Sequence, residues 1–191
     1  GFCNILDIDC DKTGLLADWR AMAHRLDELT QEVNIAMVGK YTDLSDAYLS
    51  VIKSLQHAAL AVERKLNIDW IEASDLEGDN NSDAWNLLRN ANGVLVPGGF
   101  GDRGIKGKIL AAQYARENNV PYLGICLGLQ VATIEFCRNV LGIKDATSTE
   151  FDADAANPAV IFMPEISKTH LGGTMRLGSR PTIFQVDDCV T

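Results

Sequence analysis

A cysteine set between two glycines is the clearest chemical feature of the chain. The segment Gly124-Ile125-Cys126-Leu127-Gly128 lies between a predicted strand and a predicted helix. This is the pattern of a nucleophile elbow, whose sharp turn leaves no room for flanking side chains. The positive end of the helix favours the thiolate, and the N–H of Leu127 is placed to donate to an oxyanion. The pattern therefore predicts Cys126 as a nucleophile. The alternative interpretation is a structural turn in which glycines flank a buried thiol.

A second glycine-rich turn follows the preceding predicted strand. It has the sequence Pro97-Gly98-Gly99-Phe100-Gly101. Because the carboxyl ends of neighbouring parallel strands meet at one edge of a sheet, we expect this turn beside the cysteine. The N–H of Gly99 is the natural second oxyanion donor. A flexible loop is the alternative, but two such turns on adjacent strands favour a site.

Alternating strands and helices would position both turns. Apolar runs bounded by turn residues predict strands, and apolar residues at helical spacing predict helices. The predicted strands cover residues 33–38, 67–71, 93–96 and 120–123, and the predicted helices cover 46–65, 85–88, 105–118 and 129–140. This order is typical of an α/β protein with a three-layer, doubly wound, mostly parallel sheet of the flavodoxin-like kind.

The two ends of the chain depart from that pattern. Apolar residues at helical spacing in residues 15–29 predict one amphipathic helix ahead of the domain proper. Beyond Leu141, three short apolar runs predict a small antiparallel addition. These runs cover residues 160–163, 175–177 and 182–184.

Composition excludes several classes of function. A net charge of −9 at pH 7 and the lack of a basic, aromatic-rich stripe argue against nucleic acid as a partner. No apolar run reaches the length of a membrane span, and the acidic start does not resemble a signal peptide. Five cysteines without close pairs predict free thiols, a cytoplasmic location and no metal site. Gly39-Lys40 lacks the other residues of a phosphate-binding loop.

Several blocks of sequence resemble a known family. VPGGFGDRG followed by PYLGICLGLQ resembles the class I, or triad, glutamine amidotransferases. Within that family, NIAMVGKYTDLSDAYLSVIKSL, ENNVPYLGICLGLQVATIEFCRNVLG, STEFD and GGTMRLG are similar to the CTP synthases. The resemblance runs from about Asn34 to Gln185. It implies a linker helix in residues 1–32 that follows a missing synthetase domain, and a glutaminase domain in residues 33–191 whose C-terminal part is absent.

The resemblance also implies roles for individual residues. Cys126 would attack the side-chain amide of glutamine and form a glutamyl thioester, with Gly99 and Leu127 as oxyanion donors. A carboxylate such as Glu150 suits the α-ammonium of glutamine, and an unpaired buried charge would exclude analogues. The residues implied in glutamine binding are Gly99, Phe100, Leu127, Gly128, Gln130 and Glu150. Arg103, in the loop after the glycines, is expected to be solvated rather than to serve nucleotide effects.

The family further implies the use of the ammonia. In CTP synthases it passes to an ATP-dependent synthetase domain of the same chain, which aminates UTP to CTP. The full-length enzyme would use ATP and magnesium, respond to GTP as an allosteric activator and assemble as a homotetramer.

One departure keeps two alternatives open. The family completes its triad with His-x-Glu, but none of His24, His57 and His170 is followed two residues later by glutamate. A γ-glutamyl or other cysteine hydrolase of the same fold is one alternative. A non-catalytic regulatory module that lacks the base is the other.

Overall fold

The structure, a computed structural model, describes residues 16–40, 45–80, 82–162 and 183. The helices are α1 (Ala17–Glu28), α2 (Leu49–Ala61), α3 (Asp83–Asn90), α4 (Ile105–Glu117) and α5 (Leu127–Asn139). The strands are β1 (Glu32–Gly39), β2 (Lys65–Glu72), β3 (Gly93–Val96), β4 (Tyr122–Gly124), β5 (Thr147–Ser148) and β6 (Pro158–Val160). Two 3₁₀ turns cover Ser45–Tyr48 and Ala73–Glu77.

Four strands form a parallel sheet in the order β2-β1-β3-β4. Strand β3, with the sequence GVLV, is buried along its whole length, as expected for a strand covered on both faces. Val96 at the end of β3 pairs with Gly124 at the end of β4. Because these two strands end at the same level, the segments that follow them lie side by side. The predicted α/β fold with a mostly parallel sheet is confirmed.

The direction of strand addition reverses at β1, which makes the sheet doubly wound. Right-handed crossovers then place α2 on one face and both α3 and α4 on the other. Helices α4 and α5 also pack against each other. The core between these layers is apolar, and its fully buried members include Ala36, Val38, Leu76, Leu88, Val96, Val131 and Ile134.

A charged pair joins α4 to α5 inside this packing. The Arg116 guanidinium lies 2.7 Å from the Glu135 carboxylate, whose residue is only 2% exposed. Asn139 donates a further hydrogen bond of 3.0 Å to the same carboxylate. Burial by itself would raise the pKa of Glu135, but the hydrogen bonds from Arg116 and Asn139 outweigh it and hold the pKa below its usual value. The carboxylate is therefore ionised at neutral pH and depends on Arg116.

Replacing Arg116 with methionine is expected to lower the unfolding midpoint by several degrees at pH 7, since Glu135 would remain buried without its partner. The contribution of Glu135 is present above its unfolded pKa and is lost as the pH falls through the lower folded value. The difference between the two proteins should therefore shrink in acid, which thermal unfolding at several pH values measures. Lys65→Met, at an exposed pair with Glu32, is the control. Equal midpoints for all three proteins would contradict a role for the pair.

Two details differ from the sequence analysis. The predicted helix of residues 46–65 ends at Ala61, because Glu63 has a φ of 56° and turns the chain into β2 at Lys65. The short strands β5 and β6 pair in parallel, whereas we expected an antiparallel addition. Residues 149–157 carry the chain back to the start of β5, so the second strand runs in the same direction. The strands predicted at 175–177 and 182–184 lie outside the described residues, apart from residue 183.

Helix α1 has the predicted position and buries no side chain within the described structure. Trp19 is 67% exposed, and Leu16 and Leu26 are exposed on the same helical segment. Across the described ranges, no helix is both long and apolar enough to cross a membrane.

Candidate functional site

Cys126 occupies a strained turn between β4 and α5. It is the N-cap residue of α5, with φ 54° and ψ −108°, and its side chain is exposed. A positive φ in a residue other than glycine costs on the order of 1–3 kcal/mol and persists only where the surroundings enforce it. The Ile125 N–H donates to the Val96 carbonyl at 2.9 Å and the Gln130 N–H to the Cys126 carbonyl at 3.2 Å, which fixes the turn on both sides. The predicted strand–turn–helix around the thiol is confirmed.

The two glycines that flank the thiol are sterically required. A Cβ on Gly124 would lie 2.4 Å from the carbonyl carbon of Gly128, and a Cβ on Gly128 would lie 2.0 Å from the Val96 oxygen. Both distances are far below van der Waals contact, and the opposing atoms belong to the backbone. Gly128 is buried, and its carbonyl accepts a hydrogen bond of 2.8 Å from the Tyr122 hydroxyl. These contacts seat the start of α5 directly on the sheet.

Residues 97–101, hereafter the glycine turn, lie against the cysteine. A Cβ on Gly98 would be 3.2 Å from the Cys126 Cβ and 3.7 Å from its Sγ. Within the described ranges, no group accepts a hydrogen bond from the N–H of Gly99 or of Leu127. Two backbone donors beside an exposed thiol are what an oxyanion needs.

A buried lysine holds the glycine turn from the end of β1. Lys40 is 7% exposed, and its Nζ donates to the carbonyls of Phe100 at 2.9 Å and Gly101 at 3.1 Å. The Tyr48 hydroxyl in turn donates to the Lys40 carbonyl at 2.6 Å and accepts from the Lys40 N–H at 3.2 Å. This role was not predicted from the sequence, because Lys40 and Phe100 are 60 positions apart in the chain and only the fold brings them together.

A second lysine lies on the other side of the same turn. Lys108 of α4 is only 1% exposed, and its Nζ would lie 3.8 Å from a Cβ on Gly99. Burial and, after it, the charge of Lys40 lower the pKa of Lys108 from its ordinary value to about 8, while Glu72 and Cys126 act in the opposite direction. The sequence gives no sign of this burial, since the lysine follows an ordinary helical pattern.

The remaining predicted substrate residues differ in their surroundings. The Oε1 of Gln130 is buried and has no hydrogen-bond partner among the described residues, one helical turn after Cys126. The Phe100 side chain is 75% exposed at the rim of the glycine turn. Glu150 is also exposed and follows β5, where its N–H donates to the Ser148 hydroxyl at 3.2 Å. The structure thus places Gln130 at the elbow, whereas no described contact joins Glu150 to Cys126.

The histidines lie away from this arrangement or outside the described ranges. His24 is on α1 and His57 on α2, and both are exposed. Neither makes a described contact with Cys126, and His170 lies outside the described residues. Within the same ranges, no cluster of His, Cys, Asp or Glu is arranged to hold a metal ion.

Known proteins with this arrangement were found by sequence and by structure. The CTP synthase of Dictyostelium discoideum is 60% identical over 179 residues, which is 88% of this chain and 32% of that protein. CTP synthase 1 of Saccharomyces cerevisiae is 54% identical over 180 residues, 90% of this chain and 31% of that protein. The chain therefore spans about a third of the length of these curated relatives.

A solved structure shows the same fold. It is the glutaminase domain of Trypanosoma brucei CTPS with bound acivicin, which matches with a TM-score of 0.66 and 45% sequence identity over 72% of this chain and 53% of that one. The family model of class-I glutamine amidotransferases matches residues 43–191. Since that match includes the elbow, the glycine turn and three strands of the sheet, the chain belongs to the class-I glutamine amidotransferase family.

Proposed function

We propose that this chain hydrolyses L-glutamine to glutamate and ammonia, with Cys126 as the nucleophile. The observation that carries the proposal is the strained backbone of Cys126, which holds an exposed thiol at the start of α5 and against the glycine turn. Strain of this kind is kept where function requires it. The family match and the name of the trypanosomal glutaminase domain point to the same reaction.

The reaction would proceed in two steps. The Cys126 thiolate attacks the carbon of the glutamine side-chain amide, and the N–H groups of Gly99 and Leu127 donate to the resulting oxyanion. Collapse of this intermediate breaks the C–N bond, and the leaving nitrogen takes up a proton to depart as ammonia. Water then cleaves the glutamyl thioester to glutamate and restores the thiol. By family resemblance, the proton carrier is the histidine of a His-x-Glu pair, and among the described residues no histidine contacts the thiol.

Substrate recognition is proposed for side chains around the elbow. The unpartnered Oε1 of Gln130 would accept a hydrogen bond from the substrate, because a buried acceptor without a partner is costly. Glu150 would pair with the α-ammonium, and Phe100 would cover the rim. Gly128 would act through its lack of a side chain, because both of its backbone groups are engaged within the elbow. Its N–H donates to the Ile125 carbonyl at 3.0 Å, and its carbonyl accepts from the Tyr122 hydroxyl at 2.8 Å.

The use of the ammonia is proposed from the relatives. Their names identify them as CTP synthases. The ammonia would serve the ATP-dependent amination of UTP to CTP in a synthetase domain, which α1 would link to the glutaminase domain. The family resemblance adds magnesium with ATP, activation by GTP, a homotetramer and a cytoplasmic location.

An electrophilic glutamine analogue should modify Cys126 before any other thiol, because this thiol is exposed at a helix start. It also lies beside two backbone N–H groups that have no acceptor among the described residues. Peptide mapping by mass spectrometry after partial reaction measures the order of labelling. The half-buried Cys137, on the same helix, is the internal control. First labelling at Cys137 would contradict the assignment.

Protection experiments separate the proposed substrate from the alternatives. Excess L-glutamine should slow labelling of Cys126, while a γ-glutamyl peptide should not. Protection by the peptide alone would indicate a γ-glutamyl hydrolase. Labelling that neither compound slows would indicate a module without a substrate site.

A further inference from the structure

The glycine turn lies between the reactive thiol and a buried ammonium group. A Cβ on Gly98 would contact Cys126 at 3.2 Å, and a Cβ on the next residue, Gly99, would lie 3.8 Å from the Lys108 Nζ. The α-carbons of successive residues are about 3.8 Å apart, so one peptide unit separates the two groups. That peptide unit carries the N–H of Gly99, the proposed oxyanion donor. Lys108 therefore lies close to the residue that carries the donor.

Lys108 lies near several other charged or ionisable groups. The groups whose charge acts on it are Lys40 at the end of β1, Glu72 at the end of β2 and Cys126. Glu72 is itself paired with Arg103 at 3.0 Å. At the start of α4, the Glu77 carboxylate accepts the Gly107 N–H at 3.1 Å, as a further charge near the first turn of that helix.

Burying an ammonium group is unfavourable for folding. Its pKa is lowered from 10.5 to about 8, so the protonated form costs stability below about pH 8. Since the unfolded chain binds the proton more tightly, this cost disappears as the pH rises from the folded pKa toward the unfolded value. A methionine of similar length has no such cost. Stability therefore does not account for a lysine at this position.

We propose that Lys108 is a positioning residue for the thiol chemistry, whose positive charge close to the Gly98–Gly99 peptide favours negative charge at Cys126 and on the substrate oxyanion. This inference rests on the proposed function of Cys126. A unit charge at a distance of several ångströms in a partly buried site changes the rate of a charge-forming step by about tenfold. Lys40 has a different role from Lys108, since Lys40 holds the glycine turn through hydrogen bonds to the carbonyls of that turn.

The test compares Lys108→Met with Lys106→Met, which removes an exposed lysine from the same turn of α4. In the full-length protein, Lys108→Met should slow alkylation of Cys126 by an electrophilic glutamine analogue about tenfold at pH 7. The ratio of wild-type to variant rates should narrow as the pH rises through about 8, because wild-type Lys108 then loses its charge. Lys106→Met should match the wild type throughout. The thermal midpoint of Lys108→Met should be no lower than that of the wild type at pH 7.

Four outcomes would overturn the proposal. Equal alkylation rates for Lys108→Met and the wild type would show that the charge of Lys108 has no role. A ratio of these rates that does not change with pH would show the same. If the variant fails to fold, the proposal is tested in the wild type by carbon NMR, which follows the titration of the Lys108 ammonium group. Its titration should move to lower pH once iodoacetamide has removed the Cys126 thiolate, and an unchanged titration would exclude coupling. If the wild type is not alkylated by the glutamine analogue at all, the proposed function fails and this inference fails with it.

Discussion

Replacing Cys126 with alanine is expected to reduce glutamine hydrolysis by more than about 10⁴-fold, because removal of a nucleophile leaves only binding and oxyanion stabilisation. The fold should persist, since the side chain is exposed and alanine is smaller than cysteine. Release of ammonia from glutamine in the full-length protein measures the loss. Circular dichroism and the thermal midpoint would show that the variant remains folded.

Two further measurements test this prediction. Cys137→Ala changes the other cysteine of the described structure, on the same helix, and should retain hydrolysis. If the full-length protein makes CTP, the Cys126→Ala variant should still do so from added ammonia, because that route does not need the thiol. Appreciable glutamine hydrolysis by Cys126→Ala would show that another group is the nucleophile.

Replacing Gly128 with alanine is expected to destabilise the fold by about 3 kcal/mol or more, at or above the upper end of the usual range for overpacking. The new Cβ would lie 2.0 Å from the Val96 oxygen, and neither the strand nor the helix backbone can move without breaking the hydrogen bonds of the elbow. Chemical denaturation measures the change in the free energy of unfolding. Any folded fraction should label slowly at Cys126, because α5 would be displaced from the sheet.

The control for this variant is another glycine of the same chain. Gly78 has a φ of −97°, and a Cβ on it would meet no atom within 4 Å. Its ψ of −134° lies outside the regions that residues with a side chain prefer, so Gly78→Ala should cost only about 1–2 kcal/mol, from backbone conformation alone. Equal stability of the two variants would mean that α5 does not pack on β3 as closely as described.

The sequence predicted the elbow and the glycine turn because local patterns determine them. Glycine spacing around Cys126 and apolar runs such as residues 93–96 carry their information within a few positions. The end of α2 was harder to predict, since Glu63 is a common helix residue that here adopts a positive φ. The parallel pairing of β5 with β6 could not be predicted, because a strand of two residues has no periodicity.

The two lysines behind the glycine turn were missed for another reason. Lys40 and Lys108 are far apart in sequence, and lysine is almost never fully buried, so each reads as a solvated side chain. Their burial results from the order of the strands, which places the end of β1 next to that of β3. Such placements depend on tertiary structure, which one sequence does not reveal. The base of the proposed reaction is a different case. The sequence alone shows that none of its three histidines belongs to a His-x-Glu pair.

The positive φ at Cys126 also has an evolutionary consequence. Glycine adopts this conformation without strain, so the backbone here prefers a residue that has no thiol. The proposed role of the thiol therefore requires a residue other than the one that this backbone conformation prefers. A lineage that no longer required the thiol would gain stability by exchanging it for glycine. A cysteine at a backbone position that favours glycine is thus the choice that a requirement for the thiol would impose.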